Sequence, residues 1–223
     1  MSVAAVKSGA GEGPRRRRGR PRQFNRSDVL DRMTNVLLAS GLEGATMAQL
    51  SAVSGVNRPS LRLAFGERDS LICAVIERYR SRIGSALCHL SKDPLQEALQ
   101  SMLRHFISIY SREPPAPSGC LLLAVMPSVP DSHPAVSAAI EVTRLEIRDA
   151  LAHRMLTAQR GLSEKAALVL TQLCVSLISS LAVEARSGAS RASLDNAADA
   201  FAAFIAGCAE SSTNLIERAG RSE

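Results

Sequence analysis

Aromatic residues are scarce in this 223-residue chain: five Phe, two Tyr and no Trp, 3% in all. Any core must therefore be built from Leu, Ile, Val, Ala and Met, and an apolar content of 46% is ample for one. Cysteine is sparse and scattered. Cys73, Cys88, Cys120, Cys174 and Cys208 form no C-x-x-C pair and are odd in number. This excludes a zinc ribbon or a dense disulfide framework and fits small hydrophobes in a reducing cytoplasm. His89, His105, His133 and His153 lack the close His/Cys/Asp spacing of a metal site, so no metal is expected. The N-terminus has no apolar stretch of the secretory kind, and no apolar run approaches the roughly 20 residues that span a bilayer. The expectation is a cytoplasmic chain with no membrane partner. A nucleophile elbow, a Gly-rich phosphate loop, H-E-x-x-H and paired carboxylates are all missing, so neither catalytic residues nor cofactors are expected.

What the sequence does have is positive charge, and nearly all of it in one place. The net charge is +6, and residues 1–22 alone carry Lys7, Arg15, Arg16, Arg17, Arg18, Arg20 and Arg22 against Glu12. The other residues cancel. A Gly-, Pro- and Arg-rich arm with almost no apolar content cannot pack a core and is expected to be solvated and mobile. Such asymmetry points to one end facing a polyanion and an ordinary globular remainder.

After the arm the pattern is helix upon helix, without strand-like alternation, and predicts an all-α fold. A first helix is expected from Ser27, as N-cap, to Ser40, stopped by Gly41. Thr46-Met47-Ala48-Gln49 reads as a capping box opening a second helix. Gly55 permits a tight turn, Asn57 can cap a third short helix, and Pro59 fits its first turn. Two short helices joined by a Gly-containing turn are a helix-turn-helix. A longer helix, about 67–90, has Leu71, Val75, Tyr79, Ile83 and Leu87 as its buried stripe, and others follow over about 94–111, 119–126 and up to 160. The last two span roughly 163–187 and 191–218. The first of them is apolar nearly all round, which implies burial on several sides. The second carries Leu194, Ala197, Ala198, Phe201, Phe204, Ile205 and Cys208 at three- and four-residue steps. Together they could pair with the same helices of a second chain as a four-helix interface.

The order of these elements resembles the DNA-binding region of TetR/AcrR-type transcriptional regulators. The matching strings are Arg18-Gly19-Arg20-Pro21-Arg22, Gly41-Leu42-Glu43-Gly44-Ala45-Thr46-Met47 and Ser54-Gly55-Val56-Asn57-Arg58-Pro59-Ser60-Leu61, with Phe65 followed by Gly66-Glu67-Arg68-Asp69-Ser70-Leu71. The remainder resembles one subgroup of that family's C-terminal domains at Gly119-Cys120-Leu121-Leu122 and Ser187-Gly188-Ala189-Ser190. Arg62 stands where the family usually has Tyr, Ser51 where a small Ala is common, and Leu37 where Phe is common.

The resemblance implies a flexible basic arm (1–22), a helix-turn-helix domain (23–70) and a helical effector-binding and dimerisation domain (71–223). The arm, with Arg17, Arg18, Arg20 and Arg22, would follow phosphates or the minor groove, or be only a solubilising tail. Thr46 would offer its hydroxyl or its helix N-terminus to phosphate, compatibly with capping. Asn57, Arg58, Pro59, Ser60, Arg62 and Leu63 surround the exposed face of the third helix. Arg58 and Arg62 share that face and could pair with guanine or contact phosphate only. Arg68 would be a phosphate contact or a solvated charge. A sensing pocket is implied, with Phe106, Tyr110, Cys120, Met126 and Gln172 as candidates and core packing as the alternative for each. The expected function is a homodimeric, sequence-specific regulator on a palindromic double-stranded operator, most simply a repressor released by an unknown small molecule. A nonspecific architectural DNA binder and a small helical enzyme are the alternatives.

Overall fold

The computed structural model describes residues 24–113, 115–128, 132–158 and 162–220. The arm therefore lies outside the described residues, which are helical without strands, as the missing alternation predicts. The first helix, α1 (Arg26–Gly44), is capped by Asn25 rather than by Ser27: the Asn25 side chain accepts from the backbone N–H of Ser27. Asn25 is as good a cap as Ser27, and the helix starts two residues earlier than a Ser27 cap would place it. The helix breaks at Gly41, whose φ of +65° suits glycine alone. A Cβ there would also come within 3.3 Å of the Ala124 carbonyl oxygen. Gly41 thus serves both as the stop and as the place where a later segment approaches.

Helices α2 (Met47–Ser54) and α3 (Arg58–Phe65) follow, then the long α4 (Arg68–Leu87). Leu71, Val75, Tyr79 and Ile83 of α4 are buried as expected, joined by Ile72, Ile76 and Ala86, while Leu87 is half-buried. The helix passes into a 3-10 turn at Cys88–Ser91 instead of running on to Leu90. Then come α5 (Leu95–Tyr110), the five-residue α6 (Leu121–Val125), α7 (Pro134–Ala158), α8 (Glu164–Arg186) and α9 (Arg191–Gly220). Val29, Met33, Leu37, Leu38 and Leu42 of α1 close the core of the N-terminal helices together with Leu50, Leu61 and Phe65. Leu37 occupies its site with no exposure.

Two expectations about the last helices change. α8 is long and apolar enough, by length and composition, to cross a bilayer; four charged residues confined to its ends, Glu164, Lys165, Glu184 and Arg186, leave the middle uninterrupted. In the fold it packs along α5, α7 and α9. It is also not buried all round. Leu168, Val169, Leu173 and Val183 face outward, as does Phe204 of α9. The inward stripe of α9 is Leu194, Ala198, Ala202, Ile205 and Ala209, with Phe201 half-buried, so Ala197 and Phe204 do not belong to it. Small alanines, rather than the phenylalanine, make the close approach.

Candidate nucleic-acid interface

Local rules account for the helix-turn-helix. The Thr46 hydroxyl accepts from the Gln49 backbone N–H, and the Gln49 side chain accepts from the Thr46 N–H, each at 3.3 Å. Both bonds satisfy donors that a helix start would otherwise strand. Gly55 ends α2 in the left-handed region with φ +71°. Asn57 caps α3 by accepting from the Ser60 N–H at 2.9 Å, with Pro59 in the first turn. The turn between them is tied by serine hydroxyls. Ser51 donates to the Val56 carbonyl at 2.8 Å, Ser54 donates to the Ser51 carbonyl, and the Val56 N–H donates back to Ser54. Ser51, which replaces a common Ala, therefore does work that Ala could not.

Leu61 and Phe65 pin α3 inward, while Arg58, Pro59, Arg62 and Leu63 are exposed. Four-residue spacing sorts these into two adjacent edges, Arg58 with Arg62 and Pro59 with Leu63. Arg62 lies 3.3 Å from Glu67 through its Nε. At the far end Phe24 packs on Phe65, with ring centroids 6.2 Å apart, and the Arg26 guanidinium sits 4.4 Å over the Phe65 ring. Pattern reading missed this clasp, although a lone Phe just before the first helix is its signal.

Arg68 is placed differently from a free phosphate contact. Its Nε donates to the Ala45 carbonyl at 3.0 Å, its Nη2 donates to the Leu42 carbonyl, and Nη1 lies 3.6 Å from Asp69. It joins the start of α4 to the corner between α1 and α2. Arg17, Arg18, Arg20 and Arg22 lie outside the described residues.

The remainder of the chain grips the same corner. Arg186, at the end of α8, donates from Nη1 to the Leu38 carbonyl at 2.7 Å. Arg112 pairs with the Asn35 side chain, and His133, just before α7, lies 2.9 Å from Asp69 and 3.9 Å from Glu43. The short α6 packs on α1. Behind α6 is a cavity of about 170 Å³ between α4, α5, α7 and α8, whose lining includes Tyr110, Cys120, Met126 and Gln172. Phe106 is not in the lining. It is fully buried, with its ring 5.8 Å from that of Tyr110. At the inner end Cys120 meets Tyr79 and Tyr110; burial, then the neighbouring thiol, holds both phenols well above their usual range, and burial raises the Cys120 thiol. The mouth is polar, with Glu141, Arg144, Arg148 and Ser179. No group of His, Cys, Asp and Glu able to hold a metal occurs among the described residues.

No family model matches the chain. Among curated proteins it is 26% identical over 109 residues to the HTH-type transcriptional repressor ComR of Escherichia coli strain K12, which covers 48% of this chain and 51% of ComR. It is 27% identical over 107 residues to the HTH-type transcriptional repressor BdcR of the same organism, covering 47% of this chain and 54% of BdcR. The match thus spans about half the length of these relatives. Among solved structures, a cysteine mutant of the TetR family transcriptional regulator CifR, in complex with 26-bp double-strand operator DNA, matches with a TM-score of 0.70 and 25% identity over 82% of this chain and 98% of that one. These similar proteins are regulators, not enzymes.

Proposed function

We propose that the chain, which is similar to TetR family transcriptional regulators in sequence and fold, is a sequence-specific DNA-binding repressor, acting in the cytoplasm as a homodimer that a small molecule releases from its operator. The observation carrying this reading is the outward face of α3: Arg58, Pro59, Arg62 and Leu63 project from a helix whose other side is locked by Leu61 and Phe65. Rigid presentation of two cations and two apolar groups suits base edges in a major groove. Asn57 and Ser60 complete the start of that helix, and Thr46 offers the N-terminus of α2 to phosphate. The basic arm supplies further phosphate neutralisation.

In this reading residues 23–70 are the reading head and 71–223 the sensing and pairing body. Exposed Leu168, Val169, Leu173, Val183 and Phe204 support pairing through α8 and α9. The cavity lined by Tyr110, Cys120, Met126 and Gln172 supports an effector site. An effector favouring one spacing of the two heads would shift DNA affinity by its differential affinity for the two states. A gel shift against the promoter regions nearest its own gene, with scrambled duplex as competitor, tests the reading. A specific band that survives the competitor is expected. A folded dimer giving none would overturn it, and equal competition by scrambled DNA would favour an architectural role.

A further inference from the structure

Leu63 is the most exposed large apolar side chain among the described residues, at 90% of its full accessibility. It has no part in holding α3 to the core, which Leu61 and Phe65 do. Single exposed leucines are common on protein surfaces and need no explanation by themselves. This one differs in its setting. It shares an edge with Pro59 one turn earlier, on the outward face of an eight-residue helix, beside the cationic edge of Arg58 and Arg62. That helix starts with an asparagine cap and a proline, so its geometry is fixed before any partner arrives. An apolar edge beside two arginines matches a partner that is anionic overall and carries small apolar groups at defined positions. In the major groove of DNA only thymine offers one, its 5-methyl group.

We infer that Leu63 reads the 5-methyl group of a thymine, and so fixes a T·A pair at one position in each half-site. The inference rests on α3 being the helix that enters the major groove. A buried methyl is worth about fourfold in affinity, or about fifteenfold when both half-sites lose theirs.

The test keeps the two readings apart. The full chain is used to enrich duplexes from a randomised pool. In an enriched sequence each thymine is then replaced in turn by deoxyuridine, which removes the methyl and leaves the pairing unchanged. The wild-type protein should lose about fourfold at one symmetric position per half-site. Leu63→Ala, which alters both half-sites of the dimer, should lose about fifteenfold on the thymine duplex and show no further loss on the deoxyuridine duplex, the non-additivity expected of groups in contact. Its thermal unfolding should match wild type, since the side chain is exposed. Equal deoxyuridine penalties in both proteins, or none in either, would overturn the role of Leu63 while leaving specific DNA binding in place. Enrichment of no sequence at all would overturn the groove reading and this inference with it.

Discussion

Glu67 stands 3.3 Å from the Nε of Arg62, so the last turn of α3 and the cap of α4 are linked by an exposed ion pair across Gly66. Such a pair in open solvent contributes little to stability, roughly 0–1 kcal/mol. Its consequence is positional: with Glu67 on the Nε side, the two terminal nitrogens of Arg62 are left to meet a partner. Two parallel donors are the geometry that guanine O6 and N7 accept. Arg62→Ala should therefore weaken binding by about 1–3 kcal/mol on the preferred operator and relax discrimination at one base position. Glu67→Gln should keep the fold, raise affinity for all duplexes slightly by removing a negative charge, and reduce discrimination at that same position. Titration against single-base operator variants distinguishes this from a phosphate contact, for which Arg62→Ala would lower affinity evenly across sequences.

Arg68 is expected to matter for stability before it matters for DNA. Two of its nitrogens hold carbonyls at Leu42 and Ala45, where α1 has broken and α2 has not begun. Hydrogen bonds to a charged group contribute about 1.5–3 kcal/mol, and partly exposed ones fall toward the lower value. Arg68→Ala should lower unfolding free energy by about 2 kcal/mol in a denaturant titration. Arg68→Lys, which can serve only one carbonyl well, should lie between. A variant with unchanged stability but weakened DNA binding would restore the simple phosphate-contact role.

These two arginines show what sequence could and could not give. The capping box at Thr46, the turn at Gly55 and the cap at Asn57 are legible because each is decided within four residues. The cation–π clasp of Arg26 on Phe65 and the reach of Arg186 to Leu38 join residues far apart in the chain, and no local pattern encodes them. Arg68 was readable as a cation but not as one turned inward. On α9, spacing alone could not tell Phe204 from Phe201, because both keep helical register and only the packing of α5 and α8 decides which is covered. The cavity was legible only as candidate residues: a void depends on which inward side chains fail to meet.

The cysteines should differ sharply in reactivity. Burial pushes the Cys174 thiol up to about 12, while Cys88 is exposed. Since the thiolate is the nucleophile, a thiol reagent at pH 8 should label Cys88 first and Cys174 only on unfolding. The sign for stability follows. The folded chain keeps the Cys174 proton that the unfolded chain begins to lose near pH 9, so its contribution is complete below pH 9 and falls as pH rises toward about 12. Mass mapping of labelled protein and alkaline melting curves check both; Cys174→Ser should flatten that part of the alkaline decline.

Pairing through α8 and α9 predicts a concentration-dependent oligomer that a single charge can break. Leu173 and Phe204 are outward on their helices, with Phe204 58% exposed. Phe204→Glu should leave the helical circular dichroism intact and give a monomer by sedimentation. DNA affinity should then fall steeply, since two linked heads gain from effective concentration. An unchanged dimer in both Phe204→Glu and Leu173→Glu would move the interface elsewhere.

Deletion of residues 1–22 tests the arm against the helix face. All of the net +6 charge lies in this segment, so its loss should remove affinity without removing sequence preference. Each phosphate it neutralises contributes about 0.9 to the slope of log affinity against log salt. If most of its seven cations engage, the slope should become markedly shallower and affinity at low salt should fall by orders of magnitude. The same titration at high salt should bring the deleted and full-length proteins closer together, because counterion release drives the arm's share but not base readout. A truncated chain with the same affinity and the same salt slope would make the arm a solubilising tail and leave α3 and the N-terminus of α2 to account for all of the binding.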